Sequence, residues 1–136
     1  MKDYIPTNTE EFELDNGSKY KKITKIINAP ILQANIVRNF LNIEKVTTPV
    51  IPQEQIKLCS GQDRCKNILK CSSILIHHGN NTKSGHYTCM FKYHINDQWY
   101  HYDDINNQYI SIGTFDNVLQ WRNGYVTKNL ISCLYV

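Results

Sequence analysis

Apolar and polar residues alternate over short stretches of this chain, and no long helical stripe interrupts them, so the pattern predicts strands. Over residues 31–40, Leu32, Ala34, Ile36, Arg38 and Phe40 share one face, with Arg38 its single polar member. Residues 73–76 (Ser-Ile-Leu-Ile) read as a short buried strand that runs into a turn-rich loop, His77-His78-Gly79 through Ser84-Gly85. Residues 86–95 alternate again: Tyr87, Cys89, Phe91, Tyr93 and Ile95 face one way, and His86, Thr88, Met90, Lys92 and His94 the other. Asn96-Asp97 then predicts a tight reversal, with residues 98–103 returning as the partner strand of a hairpin. Residues 108–112 and 131–136 read as further strands.

Elsewhere the signals are turns and breaks. Asp15-Asn16-Gly17-Ser18 suits a hairpin turn, and Ala29-Pro30 breaks an apolar stretch. Pro49 and Pro52 mark residues 46–58 as an extended edge or loop, and residues 59–71 read as a polar, cysteine-bearing connection. Thr114 suits the cap of a brief helix through Trp121, because Phe115, Val118, Leu119 and Trp121 have helical spacing. The expected fold class is therefore α+β, mostly antiparallel sheet with short helices.

Composition supports that reading. Of 136 residues 41% are hydrophobic, enough for one globular domain, and 20% are charged, too few for a disordered tail. Nine tyrosines favour strands, while only Ala29 and Ala34 represent the best helix former. The net charge of +3 is spread over both halves without a basic stripe, which argues against a nucleic-acid partner. No stretch approaches the ~20 apolar residues of a membrane span, and Lys2-Asp3-Tyr4 does not open a signal peptide. Five cysteines are then expected as reduced thiols, in a cytoplasmic or nuclear setting. Cys59, Cys65 and Cys71 lie six apart, which is no zinc-knuckle spacing, so neither metal nor cofactor is expected.

The candidate chemistry sits at the open end of the predicted hairpin. His86 begins one strand and Asp103 ends the other, so folding brings their positions within about one strand spacing, ~5 Å. A carboxylate there takes a hydrogen bond from one imidazole nitrogen and leaves the other to accept a proton from a nucleophile. For Tyr87, Trp99 and Tyr102 packing is the simpler role; His77 is expected buried and hydrogen-bonded, and His78, His94 and His101 at the surface.

The surrounding residues add a resemblance. His77-x-Gly79, Gly85-His86-Tyr87, Trp99 and Tyr102-Asp103-Asp104 together resemble the histidine box of ubiquitin-specific proteases, the thiol-dependent deubiquitinases. Upstream, Pro30-Ile31-Leu32 with Ile36-Val37-Arg38-Asn39-Phe40, then Val50-Ile51-Pro52, are similar to that family's motifs in its order. Ile131-Ser132-Cys133-Leu134-Tyr135 resembles its closing strand, so the likeness covers residues 20–136. It implies a papain-like cysteine proteinase fold remnant and a ubiquitin or ubiquitinated partner. His86 then matches the general base, Asp103 the residue orienting it and Asp104 the next acidic position. Gly85 and Tyr87 flank the slot for the ubiquitin tail.

The chain departs from that pattern in one respect that matters for chemistry. No Gly-x-Thr-Cys-Tyr-like segment supplies a nucleophile, and Cys89, three residues along the strand from His86, points to the opposite face. The family's paired zinc-binding cysteines are also missing; Tyr20-Lys21-Lys22 stands where one pair belongs. The expectation is a single partial domain over 1–136, truncated or degenerate and inactive alone, with a separate chain as one source of the thiol. The competing reading is a non-catalytic ubiquitin-binding or scaffold protein.

Overall fold

The computed structural model describes residues 3–4, 7–13, 17, 19–25, 31–39, 44–58, 67–81 and 83–136. In chain order the elements are β1 (Asp3–Tyr4), β2 (Thr7–Glu13), β3 (Lys19–Lys25), β4 (Leu32–Asn35), β5 (Gln55–Leu58) and β6 (Asn67–His78). There follow β7 (His86–Lys92), β8 (Trp99–Asp103), β9 (Gln108–Gly113), α1 (Phe115–Gln120), α2 (Tyr125–Asn129) and β10 (Leu130–Tyr135). One sheet runs β1-β5-β6-β7-β8-β9, with β10 pairing both β6 and β4; β2 and β3 form a separate ribbon. Every pairing is antiparallel except β1 with β5. The α+β expectation holds.

The β2–β3 ribbon runs from Thr7↔Lys25 to Glu13↔Lys19, as the hairpin signal requires, although Asp15, Asn16 and Ser18 lie outside the described residues. Ala29, Pro30, Phe40, Cys59 and Cys65 lie outside them too.

β6 is the spine of the sheet. Its first residues pair with β5 (Asn67↔Leu58 to Lys70↔Gln55), its middle with β10, and its end with β7 (His78↔His86). The expected four-residue strand at 73–76 is thus the centre of a twelve-residue one. Residues 67–71, read as connection, become strand because β5 supplies the hydrogen bonds that their polar sequence does not advertise.

Alternation decides which face is covered. Ile74 and Ile76 of β6, Met90 of β7, Trp99 of β8 and Cys133 and Tyr135 of β10 are buried with Phe115, Val118 and Val126 from the helices. Trp99 lies 5.7 Å from the Phe115 ring, centroid to centroid. Each fully buried aliphatic side chain here stabilises by ~1.5–3 kcal/mol. Leu75, Tyr87 and Tyr109 lie exposed.

α1 begins where the cap signal placed it: the Thr114 hydroxyl accepts from the Asn117 backbone, and the Asn117 side chain accepts from the Thr114 backbone. Such a box contributes ~1 kcal/mol. α2 is an element the pattern did not show, since Tyr125-Val126-Thr127 favours strands. Its short turn follows Gly124 in the left-handed region and forms because Val126 fits the core.

β4 stops at Asn35, yet the predicted face persists: Leu32, Ala34 and Ile36 pack on the core and Arg38 is buried. The intruder is explained by its partners. Arg38 donates from Nε to the Leu130 carbonyl (2.8 Å), from Nη1 to those of Val46 (3.1 Å) and Thr48 (2.9 Å), and from Nη2 to that of Thr127 (3.0 Å). A guanidinium is one of few groups able to satisfy four converging carbonyls. Burial lowers its pKa.

Candidate active site

The loop between β6 and β7 is closed by its own backbone and by His77. His77 Nε2 donates to the Ser84 carbonyl at 2.8 Å, so in the neutral ring Nδ1 carries no proton; that atom is buried without a partner. His77 is thus buried and hydrogen-bonded, as expected. Lys45 Nζ donates to the carbonyls of His77 (2.8 Å) and Gly79 (3.2 Å) and to the Asn129 side chain, pinning the loop from outside.

Gly85 has φ +126, and a Cβ there would collide with the His78 carbonyl oxygen and come within 2.9 Å of His77 Nε2. The close approach that requires glycine is therefore to the chain's own backbone. Only then does β7 start in register with His86 directly opposite His78.

Register also brings His86 to Asp103. β7 and β8 pair from Lys92↔Trp99 to Cys89↔Tyr102, and continuing that register sets Asp103 beside Thr88, on the face that Thr88 shares with His86. The two side chains are diagonal neighbours, with His86 Nε2 2.8 Å from Asp103 Oδ1. Asp103 Oδ1 also accepts from the Ile105 backbone at 3.0 Å, which orients the carboxylate before the imidazole arrives. The hydrogen bond from His86, helped by that backbone donor and opposed by desolvation, lowers the Asp103 pKa. Asp104 Oδ1 stands 3.8 Å from the same nitrogen on a largely exposed side chain. His86 Nδ1 makes no hydrogen bond among the described residues and the side chain is 31% exposed.

Tyr87 points away from this pair. Its ring packs tilted against that of His77, its cross-strand partner, at 5.1 Å and 58°, and the residue stays 49% exposed. Trp99 is core, and Tyr102 stacks on Tyr109 at 4.6 Å.

Two histidines expected at the surface are elsewhere. His101 is buried, and His78 is half-buried and hydrogen-bonded through both nitrogens: Nδ1 to the Tyr125 hydroxyl (2.8 Å) and Nε2 to the Thr88 hydroxyl (2.7 Å). Thr88 Oγ1 also meets His101 Nε2 at 2.8 Å. Polar residues enter the covered face because their neighbours along the strands, Ile76, Met90 and Trp99, carry them under α2 and Trp121, whose ring lies 4.7 Å from His101. His94 is exposed, as expected. Burial, reinforced by His101, His86 and Arg122, pushes His78 down to about 4, and burial with Arg122 lowers His101. Both rings are neutral at pH 7. The alternation that put Thr88 on the His86 face was the one signal for this network.

Of the described cysteines none stands near His86. Cys133 is opposite Ile74, four residues along β6 from His78, which puts it ~13 Å down the strand. Its hydrogen bond with Cys71, together with burial, holds the Cys71 thiol far above its ordinary range. Cys89 lies on the other face from His86. His86, Asp103 and Asp104 each offer a ligand atom within 4.8 Å of the others, but Asp104 is exposed and the imidazole nitrogen is already committed to Asp103.

No helix among the described residues is long and apolar enough to cross a membrane. No curated protein matches the chain. The family model for ubiquitin carboxyl-terminal hydrolase matches residues 7–127, starting upstream of the motifs that carry the resemblance and taking in the β2–β3 ribbon. A match over most of the chain, joined to a histidine and an aspartate in contact at the end of the β7–β8 hairpin, places the protein in the ubiquitin carboxyl-terminal hydrolase family of deubiquitinases.

Proposed function

We propose that His86 and Asp103 are the base and orienting acid of a thiol-dependent deubiquitinase centre with a papain-like arrangement. The observation that carries this reading is the 2.8 Å contact of His86 Nε2 with Asp103, which leaves Nδ1 open. In the reaction, Nδ1 takes the proton of a cysteine thiol as the thiolate attacks the carbonyl of ubiquitin's terminal glycine. The imidazolium, held by Asp103, then protonates the departing lysine amine, and water cleaves the thioester. Asp104 adds negative charge beside the same ring, while Gly85 and Tyr87 flank the tail.

The thiol comes from outside the described cysteines, whose positions on the far face or down the strand do not serve His86. We take residues 1–136 as one partial domain that is inactive or nearly so by itself, at work in the reducing cytoplasm or nucleus on ubiquitinated protein. An electrophilic ubiquitin probe tests this: no covalent adduct should form with the chain alone. A labelled cysteine, Cys59 and Cys65 included, would overturn it and identify the nucleophile.

The absence of a thiol beside His86 among the described residues favours a second reading, a non-catalytic ubiquitin-binding module. Titration with ubiquitin followed by NMR separates the two. Binding that survives His86→Ala and Asp103→Asn unchanged, with no partner restoring turnover, would favour the module.

A further inference from the structure

We infer that His78 is a positioning residue for His86: a neutral imidazole, anchored at both nitrogens, that fixes the ring plane of the base. The inference rests on His86 being the base and deepens that reading. His78 and His86 are directly opposite across β6 and β7, with ring centroids 5.9 Å apart and planes 26° from parallel. Asp103 holds the edge of the His86 ring through one hydrogen bond, which permits rotation about that bond; the neighbouring ring restrains the face.

Both His78 nitrogens are bonded, so the ring is held against rotation as well as satisfied. The Thr88 hydroxyl has one proton and meets two imidazole nitrogens, so it donates to one and accepts from the other. Either the Tyr125 hydroxyl donates to His78, His78 to Thr88 and Thr88 to His101, or the whole sequence runs in reverse. Each direction pairs both His78 nitrogens and the Thr88 hydroxyl with neutral rings, and each fixes the orientation of His78. The Tyr125 ring lies 5.3 Å from His78, centroid to centroid, with planes 22° from parallel, and its hydroxyl holds the Nδ1 edge. Three elements thereby bear on one ring: β6 presents it, β7 ties it through Thr88, and α2 ties it through Tyr125.

The test is imidazole nitrogen NMR of the intact chain, reading the His86 tautomer and the solvent exchange of its Nε2 proton. Wild type should show the Nε2–H tautomer with slow exchange. Thr88→Val and Tyr125→Phe each remove one hydroxyl without opening a path to His86, and each should speed that exchange at least tenfold, as should His78→Ala. Space filling alone predicts no change for the first two, which also keep the test alive should His78→Ala fail to fold. Rates within twofold of wild type in Thr88→Val and Tyr125→Phe would overturn the inference while leaving His86 as the base. An Nδ1–H tautomer in wild type would overturn the base reading and this inference with it.

Discussion

His86 and Asp103, seventeen residues apart in the chain, meet at 2.8 Å as diagonal neighbours on one face of β7 and β8. Because the carboxylate is bonded in the folded state and free in the unfolded one, its folded pKa lies below the ordinary value of 3.8. Its contribution to stability is therefore present above 3.8 and is lost as pH falls through the lower folded value. Asp103→Asn should be less stable than wild type near neutrality, and the gap should narrow in strong acid. Denaturant melts at stepped pH measure it; a gap that stays constant down to the most acidic point would contradict the assignment.

His78 favours the neutral form where Asp103 favours the charged one, yet its contribution to stability depends on pH in the same direction. Its ring titrates at about 4 when folded against 6.5 when free, so the unfolded chain binds more protons between those values. Stability then falls as pH is lowered from 6.5 toward 4. His78→Phe, which cannot titrate, should show a flatter stability profile across that window. An unchanged slope would mean that His78 is not held neutral.

Gly85→Ala should destabilise the protein by at least ~2 kcal/mol, since the backbone sits at φ +126 and the new methyl meets the His78 carbonyl. The effect is local to the loop between β6 and β7, so His86 should lose its register with His78. Urea unfolding reads the first and the His86–Asp103 hydrogen bond the second. Wild-type values for both would remove the close-approach argument.

Arg38→Met keeps the apolar stem of the side chain but leaves carbonyls of Leu130, Val46, Thr48 and Thr127 without their donor. A loss of ~3 kcal/mol is expected, and Arg38→Lys should recover less than half, because one ammonium does not span four acceptors. Full recovery by lysine in thermal melts would show that charge, not the planar fork, is what this position needs.

Much of this was legible in the chain itself. Alternation placed His86 and Thr88 on one face, and Thr114 marked the start of α1. The hairpin was legible too, although β7 stops at Lys92 and the reversal spans residues 94–97, not Asn96-Asp97 alone. These are local matters, fixed by backbone geometry and by which side a residue falls on. Local too was the pairing of an imidazole with a carboxylate, since a short hairpin leaves its ends nowhere else to go. What the sequence could not give was decided by strands distant along it. Residues 67–71 became strand because β5 borders them, Tyr125-Val126-Thr127 turned helical because the core accepted Val126, and Arg38 was buried because four carbonyls converge there. His78 and His101 went inside for the same reason: a polar ring is hidden only when partners such as Thr88 and Tyr125 arrive from other elements, and tertiary packing alone brings them together.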